Sequence, residues 1–229
     1  LETVKQSTFQ LSDAPKDEVT GQGRRKSNKR LESVTDLSYV DGKVIVAGLS
    51  NEEFASSLRM VEFPFTGKVE GSSIEIFHGA HGKEETHSPI RTLMPMDVAG
   101  EPNIIASYTC TPLVRIPIKS LKPKEKVKGL TVAELGNRNR PLDMIQFEKD
   151  GKTWILIANS ARGIMKVNTE NIATVESIGE KVSGTAGLAY DTVEDWKGIV
   201  QLDRLGAEHA VVLREADGGA LHLEQLALP

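Results

Sequence analysis

Residues 143–161 read DMIQFEKDGKTWILIANSA, and this stretch decides the fold. A β-rich run ends at Asp150-Gly151, and a second run, Trp-Ile-Leu-Ile-Ala, follows at once. An Asp-Gly pair supplies the two positive φ angles that a two-residue hairpin needs, so the stretch predicts two antiparallel strands joined tightly. The same grammar recurs three times. Residues 36–49 read DLSYVDGKVIVAGL, residues 92–110 read TLMPMDVAGEPNIIASYTC, and residues 201–228 read QLDRLGAEHAVVLREADGGALHLEQLAL. Their turns are expected at Asp41-Gly42, at Gly100-Glu101-Pro102 and at Gly206-Ala207-Glu208.

Each hairpin is followed by a third strand-like run, at residues 58–65, 113–119, 163–168 and 220–227. A fourth run follows in two cases, at residues 73–77 and 130–135. The anchors Asp36, Thr92, Asp143 and Gln201 are roughly fifty to sixty residues apart. That period is close to the ~40–50 residues of a propeller blade. Helical periodicity is confined to residues 51–58 and 192–197. The expected fold is therefore all-β, a β-propeller of four-stranded blades. A β-sandwich also uses many short strands, but its strands need not resemble one another in order.

The units are placed at 32–77, 88–135, 138–178 and 185–229, after an N-terminal strand and basic loop at 1–31. The last unit stops after its third strand. Residues 3–11 (TVKQSTFQL) alternate suitably to complete it, but the favoured reading makes the chain the C-terminal part of a larger ring. The basic run Arg24-Arg25-Lys26-Ser27-Asn28-Lys29-Arg30 reads as a solvated loop, because like charges repel and keep a segment extended.

Composition narrows the partners. A net charge of -4 gives no basic field for a nucleic acid. No apolar run is long enough to span a bilayer. A single cysteine, Cys110, excludes an intrachain disulfide framework and a multi-cysteine zinc site. No Cys-x-x-Cys-His, Gly-rich phosphate loop or nucleophile elbow is present. At the end of an apolar strand, Cys110 reads as a small buried hydrophobe on the same face as Tyr108.

The stretches RTLMPMDVAGEPNIIASYTCTPLVRIPI and ELGNRNRPLDMIQFEKDGKTWILIANSARGIMKV, with VTDLSYVDGKVIVAGLSNEEFASSLR before them, resemble secreted bacterial proteins with β-propeller repeats of the YncE/NHL/WD40 kind. The resemblance implies a periplasmic or secreted protein and a ring of more than four blades. It supplies no reaction and no catalytic residues.

Two constellations stand out. In His78-Gly-Ala-His81-Gly-Lys-Glu-Glu-Thr-His87, three of the five histidines fall within ten residues, with carboxylates between. A His-x-x-His loop with a third histidine can hold zinc, copper or iron and leave a coordination position open. The plain alternative is a polar loop whose histidines bond to backbone or solvent. The second constellation comprises Asp36, Arg91, Arg140 and Asp143, which precede or open the first strands of units, where a propeller places residues at its axial mouth. Such a ring would suit a small anionic or zwitterionic ligand. The plain alternative has these residues pairing with strand-end backbone and fixing adjacent blades. The sequence thus favours a scaffold that binds a protein or small molecule, with a metal-dependent enzyme or redox subunit as the second reading.

Overall fold

The computed structural model describes residues 11–23, 26–63, 65, 69 and 71–229. The described residues contain no α-helix; short 3-10 turns at Lys29–Glu32 and Ile118–Ser120 are the helical elements. No helix among them is long and apolar enough to cross a membrane. A two-stranded ribbon, β1 (Val19–Thr20) with β2 (Ser27–Asn28), precedes four larger, mainly antiparallel sheets.

The first sheet is built from β3 (Asp36–Val40), β4 (Lys43–Leu49), β5 (Ser56–Glu62) and β6 (Ser72–His78), with β7 (Lys83–Glu85) folded back on β6. The second runs β8 (Ile90–Val98), β9 (Glu101–Tyr108), β10 (Pro112–Pro117). Then β11 (Lys126–Lys128) crosses over to pair in parallel with β6, before β12 (Leu130–Leu135) completes the second sheet. The third comprises β13 (Pro141–Lys149), β14 (Lys152–Asn159) and β15 (Gly163–Asn168). After it, β16 (Thr185–Gly187) returns to the edge of β12, and β17 (Tyr190–Thr192) pairs with β15. The fourth sheet has three strands, β18 (Ile199–Leu205), β19 (His209–Glu215) and β20 (Leu221–Ala227). Residues 185–192 thus serve the second and third sheets, and the fourth begins at Ile199.

The hairpins follow their turn residues. Asp41-Gly42 and Asp150-Gly151 have φ of 46° and 79°, and 53° and 71°, as two-residue turns demand. In the second sheet the turn is Ala99-Gly100 and not Gly100-Glu101-Pro102: Val98 pairs with Glu101, and Asp97 accepts a hydrogen bond from the Gly100 amide at 2.8 Å. Residues 51–58 do not form the helix that their spacing suggests. Leu58 enters β5 opposite Ala47 and is buried, because the strand edge of β4 is available to it. Residues 192–197 likewise finish a strand and turn.

The sheets stack in sequence order, and their side chains show why. Successive residues of β14 point to opposite faces: Ile155 and Ile157 join Met94, Met96 and Ile105 of the second sheet, while Leu156 and Ala158 join Leu202, Ala210 and Val212 of the fourth. A strand covered on both sides must be apolar throughout, which explains the unbroken Trp-Ile-Leu-Ile-Ala run. Ile45, Leu58 and Ile74 form the corresponding layer between the first and second sheets, with Leu93, Ile104 and Val114. The first strands β3, β8, β13 and β18 contact one another in that order. In β8, β13 and β18 a register shift sits immediately before the anchors Thr92, Asp143 and Gln201. Among the described residues the row is open: Leu37 and Tyr39 are exposed at one end, and Leu205, Leu221 and Leu223 at the other. Residues 3–10, expected to complete the last unit, lie outside the described residues.

Candidate metal centre

His78 is the last residue of β6, and the chain turns at once. The His81 amide and the Gly82 amide both donate to the His78 carbonyl, at 3.1 and 2.8 Å, and Gly82 adopts a φ of 66°. This tight turn lays the His81 ring against the His78 ring, centroid to centroid 3.9 Å. The returning strand β7 pairs with β6 in a register that sets Glu85 opposite Ile76.

Glu85 then serves both imidazoles. Its Oε2 lies 3.1 Å from His78 Nδ1, its Oε1 2.6 Å from His81 Nδ1, and Ser88 Oγ donates to Oε2 at 2.6 Å. Burial alone would raise the Glu85 carboxyl, but the bonds from His78, Ser88 and His81 outweigh it and hold the group well below the usual carboxylate range. An ionised carboxylate only accepts, so each ring carries a proton on Nδ1, and the neutral form of each ring presents the Nε2 lone pair. His78 is buried, and its Nε2 has no hydrogen-bond partner.

The third group comes from the second sheet. Cys110 sits in the turn between β9 and β10, and one ligand atom each from His78, His81 and Cys110 lies within 4.8 Å of the others. Cys110 and Thr111 both have positive φ, 67° and 50°, a conformation that costs a non-glycine residue about 1 kcal/mol or more. Surrounding bonds hold it there. The Cys110 amide donates to the Asn139 carbonyl at 2.8 Å, and Thr111 Oγ1 donates to the Gly136 carbonyl at 2.9 Å. On the other side Glu134 of β12 accepts from the Gly79 amide at 2.5 Å through Oε1 and leaves Oε2 without a partner. Burial raises its carboxyl.

The predicted trio is therefore changed in one member. His87 is exposed, its Nδ1 2.8 Å from Thr86 Oγ1, because β7 ends at Glu85 and the chain leaves the pocket. Cys110 takes its place. Thirty-odd residues of sequence separate Cys110 from His78, and only the packing of the first sheet on the second unites them.

The axial residues divide differently. Asp36 and Asp143 line a cleft of about 590 Å³ together with residues of all four first strands. Asp36 accepts from its own neighbour Leu37 at 2.8 Å and from the Leu93 amide of the next sheet at 2.7 Å. Asp143 repeats this with Met144 at 2.9 Å and Leu202 at 3.0 Å. Burial raises both carboxyls, Asp143 to about 6. Arg91 lies away from the cleft and is paired with Glu32 at 2.8 Å and with Thr109 Oγ1 at 3.2 Å. Arg140 is exposed, and its backbone exchanges bonds with Ser160. The four residues do not converge on one ligand position; the two aspartates tie neighbouring sheets together. The polar run before β13 is also structural in part, with Asn139 bonded to the Gly136 carbonyl at 2.7 Å and to Asn159 at 3.0 Å.

Among protein-family models, curated proteins and solved structures, nothing matches this chain.

Proposed function

We propose that this protein is a β-propeller scaffold that holds a transition-metal ion at His78, His81 and Cys110. The observation that carries the reading is a buried imidazole, His78, whose Nε2 has no partner and whose ring is held by a carboxylate beside a second imidazole and a thiol. A buried nitrogen without a partner costs about 1–3 kcal/mol, and a bound cation would offset it. Carboxylate–histidine pairs also orient metal-binding rings. In a tetrahedral site the ligand atoms stand roughly 3.5 Å apart, so a modest closing of the pocket around an ion suffices.

A thiolate with two imidazoles suits zinc or copper better than a hard cation, with iron a less favoured guest. Three protein ligands leave a position for water or a small ligand. The blade assignment is supported by the recurring register shift before each anchor and by first strands that meet in order. The extracytoplasmic setting belongs to the resemblance to secreted bacterial propellers.

The test is a titration of the metal-stripped protein with Zn²⁺ and, under reducing conditions, Cu⁺. One ion per chain is expected. Cys110→Ser and His78→Gln should each abolish stoichiometric binding, while His87→Ala keeps it. Binding that survives Cys110→Ser, or depends on His87, would overturn the assignment.

A further inference from the structure

Glu134 is fully buried where the second sheet meets the first, and the three proposed ligands leave it unused. Its strand, β12, carries one residue more than its partner. Leu113 pairs with Ala133 and Val114 with Thr131, so Val132 has no partner in β10. An extra residue of this kind re-aims the side chains beside it. Here it sets Thr131 and Glu134, three apart in sequence, toward the first sheet. Thr131 Oγ1 donates to the Phe77 carbonyl at 2.6 Å, and Glu134 Oε1 accepts from the Gly79 amide at 2.5 Å. Val132, Ala133 and Leu135 pack instead into the layer shared with the third sheet.

The carboxylate is pressed against the turn that carries both histidines. A Cβ at position 79 would stand 2.9 Å from Glu134 Cγ, so any residue but glycine would push the side chain away. His78 and His81 lie near enough for their charges to act on the carboxyl. Capping the turn does not explain a glutamate here, because Oε1 alone does that. Oε2 is buried without a partner, at a cost of about 1–3 kcal/mol, and His78 Nε2 beside the same turn is buried without one too. A cation on Nε2, with a water at its open position donating to Oε2, satisfies both atoms together.

We infer that Glu134 is the proton acceptor for a water held at the open position of this metal site, and that the site hydrolyses small neutral esters or amides. This rests on a zinc ion at His78, His81 and Cys110. Glu134 Oε2 takes a proton from the water as its oxygen bonds to the carbonyl carbon. The same proton then passes to the departing alcohol or amine as the C–O or C–N bond breaks. The charge of the site selects the substrate class. A divalent ion, the Cys110 thiolate and the Glu85 and Glu134 carboxylates leave one negative charge, which Lys83, 4.0 Å from Glu85, offsets. Nothing in that balance attracts a phosphate, and a neutral carbonyl compound enters without opposition. The way in is on the His81 side, whose side chain is 46% exposed.

The experiment compares the zinc-loaded whole chain with its Glu134→Gln variant, using 4-nitrophenyl acetate as substrate and acetohydroxamate as a ligand for the open position. Zinc-loaded wild type should turn the ester over in steady state, and the metal-stripped protein should not. Glu134→Gln keeps an oxygen for the Gly79 amide and should still bind one zinc per chain, with the ester rate lowered about 100-fold or more. Calorimetry should show acetohydroxamate bound about 10–100-fold more weakly, as expected for a lost bond to a charged group. Glu134→Asp keeps the charge but draws it back by one carbon; it should retain zinc and fall between the two. Loss of zinc in both variants would make Glu134 a ligand or a structural cap and overturn the inference. So would a zinc-loaded wild type no faster than the stripped protein, or a Glu134→Gln variant with unchanged rate and hydroxamate affinity. A wild type that binds no zinc defeats the metal site itself, and that result appears before any ester is added.

Discussion

Glu85 and Asp143 are both partly buried carboxylates at strand ends, yet they are put to different uses. Asp143 accepts from two backbone amides, Met144 and Leu202, and so ties the third sheet to the fourth. Glu85 accepts from two imidazoles and a hydroxyl, and in doing so turns the second nitrogen of each ring toward other work. His78 Nε2 and Glu134 Oε2 remain buried without partners beside it. A carboxylate spent on backbone amides is holding the fold, whereas one that orients rings with an unpartnered nitrogen fits a ligand site.

Three substitution or titration experiments break or sharpen this contrast. The largest effect should come from Asp143→Ala, which strands the Leu202 and Met144 amides. A loss of about 3 kcal/mol in urea unfolding is expected, since each buried amide left unpaired costs ~1–3 kcal/mol, with metal affinity unchanged. If Asp143→Ala leaves stability intact, the structural assignment of the cleft aspartates fails.

Next in size is a pH effect from the same residue. Its folded carboxyl, pushed up to about 6 by burial, stands above the unfolded value near 4. The folded state therefore holds the proton more tightly, and the stabilisation is complete below about pH 4 and lost as pH rises through about 6. The loss should amount to roughly 2–3 kcal/mol at ~1.4 kcal/mol per unit. Unfolding curves of Asp143→Asn between those pH values should lose this slope; an unchanged slope assigns it to other groups.

The smallest effect, read on binding, should come from Glu85→Gln. An amide can accept from one imidazole only and must turn its NH₂ toward the other, which disturbs one ring's tautomer. Calorimetric titration should show metal affinity about 10–100-fold weaker. A variant that unfolds easily but still binds the ion tightly would reverse the roles assigned to the two carboxylates.

Much of the fold was legible in the sequence because its signals are local. Asp-Gly pairs set two hairpins, and the runs at 130–135 and 163–168 coincide with β12 and β15. Where the local signal was ambiguous the reading slipped. Ala99-Gly100 forms the second turn, since Asp97 caps it and Pro102 lies in β9 opposite Asp97. Residues 51–58 have helical spacing, but an open strand edge outweighs weak propensity. The candidate site was half legible. His78, His81 and Glu85 sit in one hairpin, so their approach is a property of that segment. His87 is in the same segment but beyond the strand end.

The sequence by itself determined the antiparallel hairpins, the fourfold recurrence of the anchors and the clustering of two histidines with a carboxylate. Each depends on residues close together in the chain, where backbone preference and alternation suffice. Tertiary structure alone decided three things: that Cys110 joins the histidines, that Asp36 and Asp143 bridge sheets, and that Leu37 and Leu223 are left uncovered. Each depends on which face of one sheet meets the next. That choice is made by burial of whole apolar faces, a sum over many side chains that no short stretch of sequence contains.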